Sequence, residues 1–308
     1  MHANQIAVMF PGQGVLDAGV IERSSAASAE PEPAPRSPSA LRAAGSAARE
    51  PEHPEVPIYR ASLAAYSRLQ HAGVVPDVLI GHGFGEIAAL VVAGAFSMSA
   101  GAEIVAARSG ALGDAVAERY GMASIQGSRR QVSILLKLLE TDGVSLAAEN
   151  SSHESVIVGP PPALWAAADL AAALDIPFVL LKTNRAPHRR LMNETRATLT
   201  SALRHVVRRP LQYPVFSPLR GRPYCDSDDL IDCLAQQLVE PIRFADAVAH
   251  LVRDGLSLMV ECGPLRGLAS TLDCHAVADT AFCRRPPAPA TATQRKDQAD
   301  RAHAREVA

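Results

Sequence analysis

Short apolar runs alternate with longer stretches of helical periodicity along most of the chain, the pattern of an α/β protein. Gln5 to Phe10 is an apolar run that ends in Pro11-Gly12-Gln13-Gly14 and reads as a buried strand entering a turn. Leu63, Tyr66 and Leu69 recur at helical spacing within a helix expected over Ile58 to Gln70. A second apolar strand, Val78 to Ile80, runs directly into Gly81-His82-Gly83-Phe84-Gly85-Glu86, and Ala-rich helical runs follow over Ile87 to Ala95 and Ala100 to Val116. Residues 78 to 95 therefore read as strand, sharp turn, helix, the local context of a nucleophile elbow.

Further along, the elements expected are a strand at Met122 to Ile125, a helix at Arg129 to Leu139, strands at Val144 to Ala148 and Ser155 to Val158, a helix at Pro161 to Leu174 and a strand at Phe178 to Leu181. That β-α-β-β-α-β order is the ferredoxin-like signature and predicts a small subdomain inserted in a larger one. Helices at Asp232 to Leu238 and Ala245 to Val252, and a strand at Ser257 to Glu261, return the chain to the main sheet. The expected organisation is a core of residues 1–120 and 190–283 around a ferredoxin-like insertion at 121–189.

Two stretches break the pattern. From Glu22 to Val56 the chain alternates Ala, Ser, Pro, Glu and Arg, as in Glu30-Pro31-Glu32-Pro33-Ala34-Pro35. This composition reads as disordered or poorly packed, the alternative being a Pro-interrupted helical excursion between Ser39 and Glu50. Residues 284–308, rich in Pro, Ala, Thr and charge, read as a disordered tail.

Composition narrows the functional classes. A chain of 308 residues with 48% hydrophobic content can bury a full core. A formal net charge of -2, with arginines scattered along the sequence, gives no electrostatic footprint for nucleic acid or an anionic membrane, so neither is an expected partner. The five cysteines, at 225, 233, 262, 274 and 283, show neither CxxC spacing nor His pairs, which predicts no metal site and no secreted disulfide framework. With no basic leader or membrane-length apolar stretch, a cytoplasmic location is expected.

Phe10-Pro11-Gly12-Gln13-Gly14 and Gly81-His82-x-Phe84-Gly85-Glu86 together resemble the two leading motifs of the malonyl-CoA:acyl carrier protein transacylase and polyketide synthase acyltransferase family. Further matches follow in the family's order. Arg108 in Ala107-Arg108-Ser109, Asn150-Ser151, Pro187-His188-Arg189-Arg190-Leu191-Met192, Gln237 in Gln236-Gln237-Leu238, and Glu261-Cys262-Gly263-Pro264 all fall where the family has its own motifs. The resemblance implies an α/β-hydrolase-like large subdomain with a parallel sheet and an inserted ferredoxin-like small subdomain. It also implies roles: His188 as general base, Gln237 in the active-site network, the backbone N–H groups of Gln13 and Phe84 as oxyanion hole, and Arg108 as the partner of the substrate carboxylate. A planar guanidinium suits the last role, because it binds a carboxylate bidentately.

One letter departs from the pattern at the centre of the chemistry: the position of the family's nucleophilic serine is Gly83. In the implied mechanism a histidine-activated serine takes the malonyl group from coenzyme A and yields it to the phosphopantetheine thiol of an acyl carrier protein, with no permanently bound cofactor. Deleting the reacting atom predicts that this transfer is lost or greatly reduced, while the backbone oxyanion hole does not depend on the side chain of residue 83. The alternatives are a non-catalytic module that binds a carrier protein or malonyl-CoA, and a slow acyl-thioester hydrolase in which His188 activates water. Pro187 and Arg189-Arg190 also depart from the family's Phe-His-Ser-Pro, which leaves the acyl group open.

Overall fold

The computed structural model describes residues 5–12, 55–116, 120–139, 143–181, 192–264, 268–272 and 282–284. In chain order its elements are β1 (Gln5–Phe10), α1 (Glu55–His71), β2 (Val78–Gly81), α2 (Gly85–Val92), α3 (Met98–Val116), β3 (Gly121–Ile125), α4 (Arg129–Leu138), β4 (Ser145–Glu149), β5 (Ser155–Gly159), α5 (Pro161–Ala173), β6 (Phe178–Leu180), α6 (Asn193–Ala202), β7 (Val215–Ser217), β8 (Arg222–Pro223), α7 (Leu230–Gln236), β9 (Ile242–Arg243), α8 (Phe244–Arg253), β10 (Leu256–Glu261), α9 (Leu268–Leu272) and β11 (Phe282–Arg284).

Two sheets organise these elements. The larger has the order β11-β10-β1-β2-β7-β8, parallel throughout except for the antiparallel pair β7–β8. Its central strand β1 is apolar at consecutive positions because helices cover both faces of the sheet, and Ala7, Val8, Met9 and Phe10 are all fully buried. On one face Val8, Phe10 and Leu79 pack against α1, α2, α3 and α7 through Tyr59, Ile87, Leu90, Ile104 and Leu234. On the other, Ala7, Met9, Ile80 and Phe216 pack against α8 through Phe244 and Val248 and reach Val156 and Val158 of the second sheet.

That second sheet has the order β6-β3-β5-β4-β9. Its first four strands pair antiparallel in the ferredoxin-like arrangement, and α4 and α5 cover it through Leu135, Leu164 and Ala167. Local chemistry starts both helices: Ser128 and Gln131 form a capping box at α4, and Pro161 and Pro162 occupy the first turn of α5.

Three boundaries differ from the sequence reading. Glu55 and Val56 close the expected low-complexity stretch but belong to α1 and are buried, Glu55 accepting a hydrogen bond from Ser109; the rest of that stretch lies outside the described residues. Arg284, expected to begin the tail, ends β11, whose partner β10 fixes it by parallel pairing of Val260 with Arg284. The short strand β9 leaves the large subdomain to extend the small sheet, pairing Ala148 with Ile242, and a strand of its length carries no periodicity to detect.

Candidate functional site

The turn between β2 and α2 has the geometry of an elbow. A Cβ on Gly81 would stand 2.1 Å from the Glu86 nitrogen, and one on Gly85 would stand 2.2 Å from the Phe10 carbonyl oxygen. Neither contact is sterically possible, so the close approach of strand, turn and helix requires glycine at both positions. Gly12 is confined in the same way, 2.6 Å from the His82 carbonyl oxygen at its missing Cβ. Gly83 is different. Its φ of +55° is the left-handed conformation of an elbow residue, and among the described residues no atom lies within 4 Å of a Cβ built on it. Among the described residues, nothing occupies the space in which a serine side chain would stand.

Helix α2 begins immediately after it. Phe84 is its N-cap residue, nearly fully buried, and the first helical bonds run from Glu86 N–H to the Gly83 carbonyl and from Ile87 N–H to the Phe84 carbonyl, both at 3.0 Å. The dipole of α2 brings partial positive charge to this end of the helix, where an anion or a carbonyl oxygen is favoured. Gln13 and His188, the other expected oxyanion donor and the expected base, lie outside the described residues.

Of the remaining predicted residues, Arg108 sits on α3 with 3% of its surface exposed, and Gln237 is the C-cap of α7 and fully buried. Burial of a guanidinium demands an anionic or hydrogen-bonding environment. His82 stands beside Gly83 in the elbow and is partly buried. Its ring faces Asn150, with Nε2 2.8 Å from Oδ1, and packs against Phe244 at 5.3 Å between ring centres. The residue that follows β4 supplies that partner, which no local pattern around residue 82 encodes. Burial lowers the pKa of His82, opposed by the Asn150 bond.

The structure adds a group to which the motif reading gave no role. Glu86 is fully buried; Tyr224 donates to its Oε2 at 2.5 Å and Ser217 to its Oε1 at 3.4 Å. Gln237 lies close enough to lower the pKa of this carboxyl, although its amide atoms fall outside hydrogen-bond geometry. Burial outweighs these partners and pushes Glu86 from 4.5 up to about 8, so it is largely neutral at physiological pH. The Tyr224 hydroxyl is raised well above 10, chiefly by burial. The available signal was Glu86 itself, the one charge in the otherwise apolar sequence of α2.

Other nucleophiles are placed elsewhere. Ser97 and Ser99 bond to each other at the surface, 3.0 Å apart, and Ser109 is buried against Glu55. Burial pushes the thiols of Cys233 and Cys262 up to about 11 and about 12, leaving both inert. Among the described residues no cluster of His, Cys, Asp or Glu could hold a metal ion, and no helix is long and apolar enough to cross a membrane.

Comparison with known proteins gives the family. The family model described as "Acyl transferase domain" matches residues 48–276. The polyketide synthase GfsE of Streptomyces halstedii is 34% identical over 216 residues, 68% of this chain and 6% of that protein. The polyketide biosynthesis protein PksE of Bacillus subtilis is 30% identical over 244 residues, 77% of this chain and 31% of that protein. The chain thus spans less than a third of the length of either relative. The crystal structure of the malonyl CoA-acyl carrier protein transacylase from Clostridium perfringens superposes with a TM-score of 0.76 at 22% identity, covering 99% of each chain, and shows the shared fold. Motif order, elbow geometry and the extent of the family match agree: this chain belongs to the acyl transferase domain family, with a glycine at the tip of its elbow.

Proposed function

We propose that this chain is an acyltransferase-type protein of polyketide or fatty-acid biosynthesis that binds malonyl thioesters in its cleft but forms no acyl-enzyme at residue 83. The single observation that carries the reading is the elbow: Gly81 and Gly85 are sterically obligatory, while Gly83 holds a left-handed φ in open space with no nucleophile on it. In members with a serine at this point, the hydroxyl adds to the thioester carbonyl and gives its proton to histidine. The oxyanion then collapses and expels the coenzyme A thiolate, and the acyl group passes to the carrier's phosphopantetheine thiol. Without that hydroxyl the remaining groups bind and polarise a thioester, and by resemblance Arg108 takes the malonyl carboxylate, His188 stands as the base, and Gln13 and Phe84 supply the oxyanion donors. The partners are then a coenzyme A thioester and an acyl carrier protein, in the cytoplasm.

Intact-protein mass spectrometry after incubation with malonyl-CoA tests this directly. The parent chain is expected to gain no malonyl mass, and the Gly83→Ser variant is expected to gain one malonyl group and pass it to a carrier protein. A malonyl adduct on the parent overturns the loss of acylation. Steady release of free malonate by the parent, abolished by His188→Ala, establishes thioester hydrolysis instead.

A further inference from the structure

The loop after β7 leaves the same edge of the parallel sheet as the elbow after the adjacent strand β2, the edge at which ligands bind in α/β sheets. Beside that loop is a cavity of about 520 Å³, within the size range of small-molecule sites (roughly 300–1,000 Å³). Two of its lining residues, Pro218 and Gln236, are chain neighbours of Ser217 and Gln237, which face the elbow's Glu86.

Its lining is cationic: Arg220, Arg222, Arg243 and Arg253 stand against two lining carboxylates, Glu240 and Asp246, while the lining His250 faces Asp254 at 3.2 Å. Asp246 is already paired to Arg129 at 2.7 Å. Arg220 and Arg222 both turn to the single buried carboxylate of Asp228, Arg222 bidentately at 2.7 and 2.8 Å and Arg220 at 3.6 Å. One carboxylate between two guanidiniums leaves them held in place with charge to spare. Arg243 and Arg253 have no ion pair among the described residues; Arg253 donates only to the Ala249 carbonyl. Four guanidiniums around one cavity, two fixed by Asp228 and two without an ion pair among the described residues, match a group with several anionic oxygens.

We propose that this cavity binds a phosphate ester or diphosphate. Given the proposed function, from which only the source of the phosphate is taken, that group belongs either to the nucleotide of coenzyme A or to the phosphodiester that links phosphopantetheine to its carrier protein. The cavity then acts beside the elbow as an anchor for the non-reacting end of the thioester.

Equilibrium dialysis of the full chain against labelled pyrophosphate tests the site apart from any acyl chemistry. Saturable binding is expected, weakened about tenfold or more in the Arg243→Ala/Arg253→Ala variant, because charge-assisted contacts to a phosphate are the strong ones. Arg253→Gln alone, on the exposed side of α8, is expected to weaken binding in the same direction and guards against misfolding of the double variant. Displacement of pyrophosphate by coenzyme A assigns the site to the nucleotide; displacement by holo but not apo carrier protein assigns it to the phosphodiester. Absence of saturable binding, or binding unchanged in both variants, overturns the proposal even if Gly83→Ser acylates normally. Binding that neither coenzyme A nor holo carrier displaces overturns the assignment to the thioester.

Discussion

Nε2 of His82 donates to Oδ1 of Asn150 across 2.8 Å, tying the turn that carries residue 83 to the end of β4 in the small subdomain. The second amide atom of Asn150 donates to Glu154 at 3.1 Å, which turns its oxygen toward the imidazole and makes Nε2 the protonated nitrogen. The elbow is thus fixed by both sheets.

Replacing Asn150 with Ala leaves the imidazole N–H unpaired in a packed setting. A loss of about 1–3 kcal/mol of stability is expected by urea denaturation. In the parent, the His82 resonance should titrate below its ordinary 6.5, because burial disfavours the charged ring. The folded chain then binds this proton more weakly than the unfolded one, so the His82 contribution is present above pH 6.5 and is lost as pH falls below it. An NMR midpoint at or above 6.5 contradicts this placement.

The three glycines of the elbow should respond differently to substitution. Gly83→Ala and Gly83→Ser add a side chain in open space, so the expected cost is only that of a left-handed φ, about 1–2 kcal/mol. Gly81→Ala and Gly85→Ala drive a methyl group into the backbone of Glu86 and of Phe10. Thermal denaturation should find the Gly83 variants folded and the other two severely destabilised or insoluble. Equal losses at all three positions would refute the elbow assignment.

Glu86 makes stability depend on pH in the opposite sense to His82. Its folded pKa of about 8 lies above the ordinary 4.5, so the folded chain keeps a proton that the unfolded chain releases. That contribution is fully present below pH 4.5 and is lost as pH rises toward 8, by a few kcal/mol at about 1.4 kcal/mol per unit. In Glu86→Gln, a neutral isostere that can still accept from Tyr224, the decline between pH 5 and 8 should disappear, and chemical denaturation across that range measures it. An unchanged slope would show that Glu86 is ionised in the folded chain.

Thiol labelling should separate the described cysteines. Cys225 is exposed, whereas Cys233 and Cys262 are buried with raised pKa values. Cys225→Ser is expected to remove one rapidly reacting thiol from the native protein, and Cys233→Ser to remove none until denaturant is added. Rapid labelling at Cys233 would place its helix differently.

The sequence by itself determined the elements with strong local signals. The apolar run of β1, the capping box of α4, the two prolines of α5 and the ferredoxin-like order of the insertion are written in adjacent residues. So is the central chemical fact, the glycine at residue 83 between two others, because a missing side chain needs no structure to be read. Tertiary structure alone decided which glycines are obligatory, since the Phe10 carbonyl that crowds Gly85 comes from a strand far away in the chain. It also decided the partners of His82, Glu86 and the cavity arginines. Asn150, Tyr224 and Asp228 reach them from the residue after β4, from the end of the β7–β8 hairpin and from the loop before α7, and burial, which sets the protonation of His82 and Glu86, arises only when both sheets close around the elbow.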